Sequence, residues 1–165
     1  MNGIAIYAGS FDPITYGHLE IIERSKKLFN RLIVAVGNNP TKKTLFTIKE
    51  RIDMIRAVVN GVEVESYDCL LAEYVRKKGA KILIRGLRTS MDFEYEFQMC
   101  MAIKKLAPEI EIIYLFSGQN ELHLSSSIVR EVAMFGGDIT PFVPPYVAEK
   151  LVSKVAKIKS SIVFE

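Results

Sequence analysis

The stretch from Ile4 to Leu28, IAIYAGSFDPITYGHLEIIERSKKL, constrains this chain more than any other. Ile4-Ala5-Ile6-Tyr7-Ala8 is a short apolar run of strand formers, and Leu19, Ile21, Ile22, Leu28 and Phe29 recur at the spacing of an amphipathic helix. A strand therefore leads into a helix through Gly9 to His18, where Gly9 and Gly17 relieve side-chain crowding and Asp12-Pro13 marks a turn. The first amides of a helix lack intrahelical partners and sit at the positive end of its dipole, so such a loop suits an anion such as a phosphate. His18 stands where the helix starts. An imidazole there can donate to a phosphoryl oxygen and offset charge that builds up in a transfer step, or it can simply cap the turn. The flanking glycines, the Ser10 hydroxyl and the preceding buried strand favour the first reading.

Further along, Leu32 to Val36 is a second buried-strand candidate, ended by Gly37-Asn38-Asn39-Pro40, with Lys42 and Lys43 in the loop that follows. Thr47-Ile48-Lys49-Glu50 has capping-box spacing and opens a helix through about Val59, closed by Asn60-Gly61. Val62 to Glu65 alternates like a strand near an edge, and Leu70 to Lys78 reads as a helix stopped by Gly79, with Leu70 and Leu71 as core residues. Lys81 to Ile84 is the next strand. It runs into Arg85-Gly86-Leu87-Arg88, where two guanidinium forks around a glycine can reach phosphates at a strand's carboxyl end.

The helix from Met91 to Leu106 spreads its apolar residues round more than one face, which predicts deep burial or a subunit interface. Its Asp92 and Glu94 suit the dipole near a helix start. Ile110 to Phe116 gives a fifth strand. Ser125-Ser126-Ser127 opens a helix through Phe135, ended by Gly136-Gly137, and three serines at a helix start can surround a phosphate as well as cap it. After a proline-rich loop from Asp138 to Pro145, a helix from Tyr146 to about Ile158 presents Lys150, Lys154 and Lys157 to solvent, and a mobile tail follows. Strands alternating with helices predict a parallel sheet covered on both faces in an α/β fold, with residues 1–165 as a single domain.

Composition enters mainly by exclusion. With 165 residues, 49% hydrophobic and 25% charged, the chain can bury a core, and a net charge of +3 without concentrated basic tracts argues against a nucleic-acid binder. Cys69 and Cys100 form no CxxC or Cys/His cluster and are expected as buried thiols in a reducing compartment. The first strand begins almost at once, and no later segment reaches the length of a bilayer span, so a cytoplasmic protein without membrane contact is expected.

GSFDPITYGH resembles the (H/T)xGH signature of the nucleotidyltransferase superfamily, in its Thr-x-Gly-His form at Thr15 to His18. SSSIVRE resembles that superfamily's second signature, and with RGLR the whole chain looks like the bacterial phosphopantetheine adenylyltransferases. The resemblance implies a doubly wound, Rossmann-like five-stranded sheet of order 3-2-1-4-5 and transfer of the adenylyl group of ATP to 4'-phosphopantetheine. It implies catalytic roles for His18, Lys42 and Arg88. On the ATP side it places Ser10, Phe11, His18, Gly86, Leu87, Arg88, Glu96, residues Glu121, Leu122, His123 and Leu124, and Ser125, Ser126 and Ser127. On the phosphopantetheine side it places Ser10, Lys42, Leu71 and Arg85. Glu121 to Leu124 departs from the aromatic, serine, Phe and aliphatic pattern the family resemblance leads one to expect there. The resemblance also implies Mg2+ with ATP, a homohexamer, and coenzyme A as a feedback inhibitor. A nicotinate or nicotinamide mononucleotide adenylyltransferase is the nearest alternative, and a nucleotide-binding regulatory protein is an alternative of another class.

Overall fold

Strand β1 (Ile4–Gly9) lies at the centre of a parallel sheet, flanked by β2 (Arg31–Gly37) on one side and β4 (Ile82–Leu87) on the other. The computed structural model describes residues 3–38, 43–88, 90–116, 118 and 125–162. With β3 (Glu63–Tyr67) and β5 (Glu111–Phe116) outermost, the strand order is 3-2-1-4-5, as the resemblance implied. The connections are α1 (Tyr16–Leu28), α2 (Ile48–Val58), α3 (Leu71–Lys77) and α4 (Ser90–Leu106), with α5 (Ser126–Met134) and α6 (Pro145–Ile162) after the last strand.

Side chains of the central strands alternate between two cores, as the two-residue period of a strand requires. Tyr7, Val34, Val36 and Ile84 pack with Ile21 and Ile22 of α1, Ile55 of α2, Val129 of α5 and Leu151 of α6. Ile6, Ala8, Ile33, Ala35 and Leu83 pack on the opposite face with Val75 of α3 and Ile103 of α4. Both faces of β1 and β2 are therefore dry, and apolar runs without polar alternation are what such strands need. Each fully buried Ile or Leu here contributes about 1.5–3 kcal/mol. Because β1 connects outward to β2 while β4 lies on its other side, the strand order reverses between β1 and β4. A crevice opens beyond the carboxyl ends of those two strands.

Several boundaries and environments differ from the sequence expectation. β4 continues to Leu87, so Arg85, Gly86 and Leu87 belong to the strand and only Arg88 follows it. β3 begins at Glu63 and runs to Tyr67, and α6 continues to Ile162 in place of an early tail. Leu70 is exposed outside the core, ahead of α3. Cys69 is exposed and Cys100 half-buried, so neither thiol is a core residue. Deep burial of α4 is excluded: Phe93, Tyr95, Phe97, Met101 and Leu106 are each more than half exposed. Lys154 is drawn out of simple solvation by the Glu50 carboxylate, 2.8 Å away.

Candidate active site

The loop between β1 and α1 is held from within. Thr15 is the N-cap of α1, and its backbone N–H donates to His18 Nδ1 at 3.0 Å, with the Thr15 hydroxyl also 3.0 Å from that nitrogen. The capping reading of His18 and the catalytic one are thus compatible, because capping uses one ring nitrogen only. A backbone N–H can only donate, so Nδ1 is the acceptor and the neutral ring carries its proton on Nε2. Burial, then the charge of Arg88, pushes the His18 pKa down to about 4. The ring is a neutral donor at physiological pH.

Phe11 adopts a φ of +48°, a left-handed conformation that costs a non-glycine residue energy and marks a constrained loop. Its buried ring meets Tyr7 and His18 edge-on, at centroid distances of 5.3 and 5.1 Å. A β-carbon on Gly9 would lie 2.9 Å from that ring, so the space beside Gly9 is filled by Phe11. Asp12, also buried, accepts from the backbone N–H groups of Leu45 (2.8 Å) and Phe46 (2.9 Å) and pairs with Arg130 at 3.1 Å. Arg130 also donates to the Asp12 carbonyl, and the Ser126 hydroxyl donates to the Pro13 carbonyl at 2.8 Å. The start of α5 is docked on the β1–α1 loop.

Beside this loop, β4 supplies Arg85, whose Nη1 donates to the Ala8 carbonyl (2.7 Å) while Nε and Nη2 grip the Glu96 carboxylate of α4. Burial works against the Arg85 charge, but the Glu96 carboxylate outweighs it and holds the guanidinium above its ordinary pKa. Arg88 pairs with Asp92 in the first turn of α4, at 3.1 and 3.3 Å. Gly86 has a packing reason, since a β-carbon there would lie 2.6 Å from Ile21 Cδ1 of α1.

Two cavities open here and share a wall of Gly9, Ser10, Arg85, Tyr95 and Glu96. One, of about 250 Å³, is completed by Thr15, Gly17, His18, Gly86, Arg88 and Asp92. The other, of about 430 Å³, is completed on its apolar side by Tyr67, Leu71, Met99, Ile103 and Tyr114. Such a pair suits two ligands, one polyanionic and one with an extended, partly apolar arm, meeting at Ser10 and Arg85.

The structure brings Ser10, His18, Arg85, Gly86, Arg88, Glu96 and Leu71 to these cavities. Phe11 and Leu87 are buried and line neither, so their side chains serve the core. Ser125 is the N-cap of α5, accepting from Ile128 N–H at 3.1 Å, and Ser127 lies 3.4 Å from Arg130 Nη2; with Ser126 they stand next to the loop and outside both linings. Lys42 and residues Glu121, Leu122, His123 and Leu124 lie outside the described residues. Sequence reasoning missed the roles of Asp12 and Arg51. For Arg51 a signal existed: a charged residue among Ile48, Ile52, Met54 and Ile55 on the apolar stripe of α2.

The sequence profile of the cytidylyltransferase-like family matches residues 6–132, which span both signature loops and β4. A phosphopantetheine adenylyltransferase from Caldanaerobacter subterraneus subsp. tengcongensis is 51% identical over 157 residues, 93% of this chain and 98% of that one. The chain belongs to the phosphopantetheine adenylyltransferase family. Its relative from Carboxydothermus hydrogenoformans is 50% identical, covering 93% of this chain and 97% of that one. Among solved structures, a putative nicotinate-nucleotide adenylyltransferase from Vibrio parahaemolyticus superposes with a TM-score of 0.66 at 18% identity, covering 94% of this chain and 95% of that chain. The Plasmodium falciparum nicotinic acid mononucleotide adenylyltransferase complexed with NaAD gives 0.62 at 19%, covering 95% of each. At that identity these two speak to the fold alone.

Proposed function

We propose that the two cavities hold the two substrates of one reaction side by side. The chain is an adenylyltransferase of coenzyme A synthesis, transferring the adenylyl group of ATP to 4'-phosphopantetheine to give dephospho-coenzyme A and pyrophosphate. What carries the division of labour is the shared wall of Ser10, Arg85, Tyr95 and Glu96 between a small cavity with His18 and a larger, partly apolar one with Leu71. ATP occupies the His18 side and the pantetheine arm the Leu71 side, so the phosphate of the acceptor meets the α-phosphate of ATP beside Ser10.

An acceptor phosphate oxygen attacks the α-phosphorus in line, the bond to the β-phosphate breaks, and pyrophosphate leaves. A phosphate monoester is already an anionic nucleophile, so no covalent intermediate or general base is required. His18 donates Nε2–H to the α-phosphate as charge develops, and in the free protein its low pKa makes it a neutral donor. Arg85, made rigid by Glu96, serves the acceptor phosphate, a role the resemblance also implies for Lys42; Arg88, aligned by Asp92, with Gly86, the backbone of Leu87 and Ser125 to Ser127, serves the ATP phosphates. Glu96, and Phe11 by its backbone, complete the nucleotide side, to which the resemblance also assigns Glu121 to Leu124.

Among the described residues no group of three His, Cys, Asp or Glu side chains could hold a metal, and Asp92 and Glu96 are each committed to an arginine. The donor set therefore fits a cation that arrives on the nucleotide, and Mg2+ bound to ATP would supply charge neutralisation on its phosphates. A bifunctional NMN adenylyltransferase/ADP ribose pyrophosphatase from Francisella tularensis is complexed with AMP and a Mn ion. Coenzyme A shares the pantetheine arm of the acceptor, so it fits the larger cavity as an inhibitor, and the exposed apolar face of α4 suits a homohexamer. Among the described residues no helix is long and apolar enough to cross a membrane, and we place the enzyme in the cytoplasm.

The test is pyrophosphate release from purified protein with Mg-ATP, comparing 4'-phosphopantetheine, nicotinate mononucleotide and no acceptor. Release with 4'-phosphopantetheine and formation of dephospho-coenzyme A is the expected result. Release with the mononucleotide alone overturns the acceptor assignment, and silence with both favours a protein that binds nucleotide without turning it over.

A further inference from the structure

Helix α2 buries an arginine where its apolar stripe meets the sheet. Arg51 is 2% exposed and the largest of the fully buried side chains. Its Nη1 donates to two carbonyls, Ser10 at 2.8 Å and Gly37 at 3.2 Å, which stand just beyond or at the carboxyl ends of the adjacent strands β1 and β2. Its Nε is buried and, among the described residues, without a hydrogen-bond partner. A side chain kept only for folding would gain from an apolar replacement of similar volume, since an unpaired buried donor is costly. What the arginine does that no apolar residue could is tie those two strand ends together.

We propose that Arg51 is a positioning residue for the acceptor side of the site, a role that rests on the functional reading above. Gly9, Ser10, Gly37 and Asn38 all line the larger cavity, and Gly37 and Asn38 line only that one. The Tyr67 side chain, on the same cavity, packs against Gly37, where a β-carbon would lie 2.9 Å from its hydroxyl. The nucleotide side is fastened by other means: His18 by Thr15, the first turn of α1 by the Phe142 carbonyl, and α5 by Arg130 on Asp12. Loss of the Arg51 bridge therefore lets the β2 end drift from the β1 end, and displaces the acceptor pocket while His18 stays in place.

Two variants test this, Arg51→Met, which keeps length without donors, and Arg51→Lys, which keeps charge and a donor. The expected result is a split: KM for 4'-phosphopantetheine rises about tenfold or more in Arg51→Met and less in Arg51→Lys, while KM for ATP stays within about threefold. Without any substrate, hydrogen–deuterium exchange is expected to speed up in peptides carrying Ser10 and Gly37 and to stay unchanged at Thr15 to His18. If Arg51→Met does not fold, Arg51→Lys decides alone, by the same split and the same exchange pattern. Equal rises in both KM values, a fall in kcat with neither KM moved, or exchange at Ser10 and Gly37 identical to wild type overturns the proposal. Wild-type protein inactive with 4'-phosphopantetheine overturns the functional reading instead, and the exchange experiment still reads the Arg51 bridge.

Discussion

At the scale of single residues, the site depends on side chains whose freedom has been removed by a partner. His18 is fixed by Thr15, Arg85 by Glu96 and the Ala8 carbonyl, Arg88 by Asp92. His18→Ala is expected to lower kcat about 100- to 1000-fold while leaving ATP affinity within about threefold, because its bond strengthens as charge develops. Steady-state kinetics beside equilibrium ATP binding checks this, and unchanged turnover would remove His18 from the mechanism. The same residue makes a pH prediction for the free protein. Its native pKa of about 4 lies below the ordinary 6.5, so between those values the unfolded chain takes up a proton that the native ring refuses. Its neutral burial is without penalty above pH 6.5, and stability falls as pH drops toward 4, by at most about 1.4 kcal/mol per pH unit. Urea midpoints measured across that window are expected to fall less in His18→Gln than in wild type.

At the scale of elements, local chemistry and tertiary docking can be separated. In α2, Thr47 Oγ1 accepts from Glu50 N–H at 3.2 Å and Glu50 accepts from Thr47 N–H at 2.8 Å, so the box visible in the sequence forms as written. Thr47→Ala is expected to lower stability by about 1 kcal/mol. Denaturant unfolding checks the size, and kcat is expected to stay at its wild-type value. Gly79 and Gly136 close α3 and α5 at φ of +65° and +79°, again as glycine spacing announced. By contrast, the residue pattern places the end of β4 too early, because Arg85 and Arg88 read as loop chemistry. Pairing of Arg85, Gly86 and Leu87 with Tyr114, Leu115 and Phe116 of β5 draws all of the tetrapeptide but Arg88 into the sheet. A strand's length is set by its neighbour, which sequence at that position does not contain.

For the molecule as a whole, the unmatched feature is the outer face of α4. Phe93 and Phe97 stack at 6.0 Å and, with Met101 and Leu106, leave apolar surface that an isolated chain would not stabilise. Sedimentation is expected to show an assembly well above the mass of one chain, and Phe97→Asp with Met101→Asp to shift it to smaller species. A wild-type monomer would dissociate this face from assembly. The basic character of the chain is modest, and at the cavities each arginine meets a carboxylate, so the site reaches its anionic ligands through oriented groups more than through net charge.

The sequence by itself determined the order of strands and helices, the strand–loop–helix carrying Ser10 and His18, the capped starts of α2 and α5, and the family likeness that implied the strand order and, of the cavity walls, Ser10, His18, Leu71, Arg85, Gly86, Arg88 and Glu96. These are local or periodic signals, written within a few turns of chain. Only the tertiary structure decided that Phe11 fills the space beside Gly9, that Gly86 makes room for Ile21, that Asp12 gathers Leu45, Phe46 and Arg130, and that Arg51 spans Ser10 and Gly37. Each of those contacts joins residues from different elements. Their partners are chosen by packing and by the need to satisfy buried polar groups, and neither is visible until the chain has closed on itself.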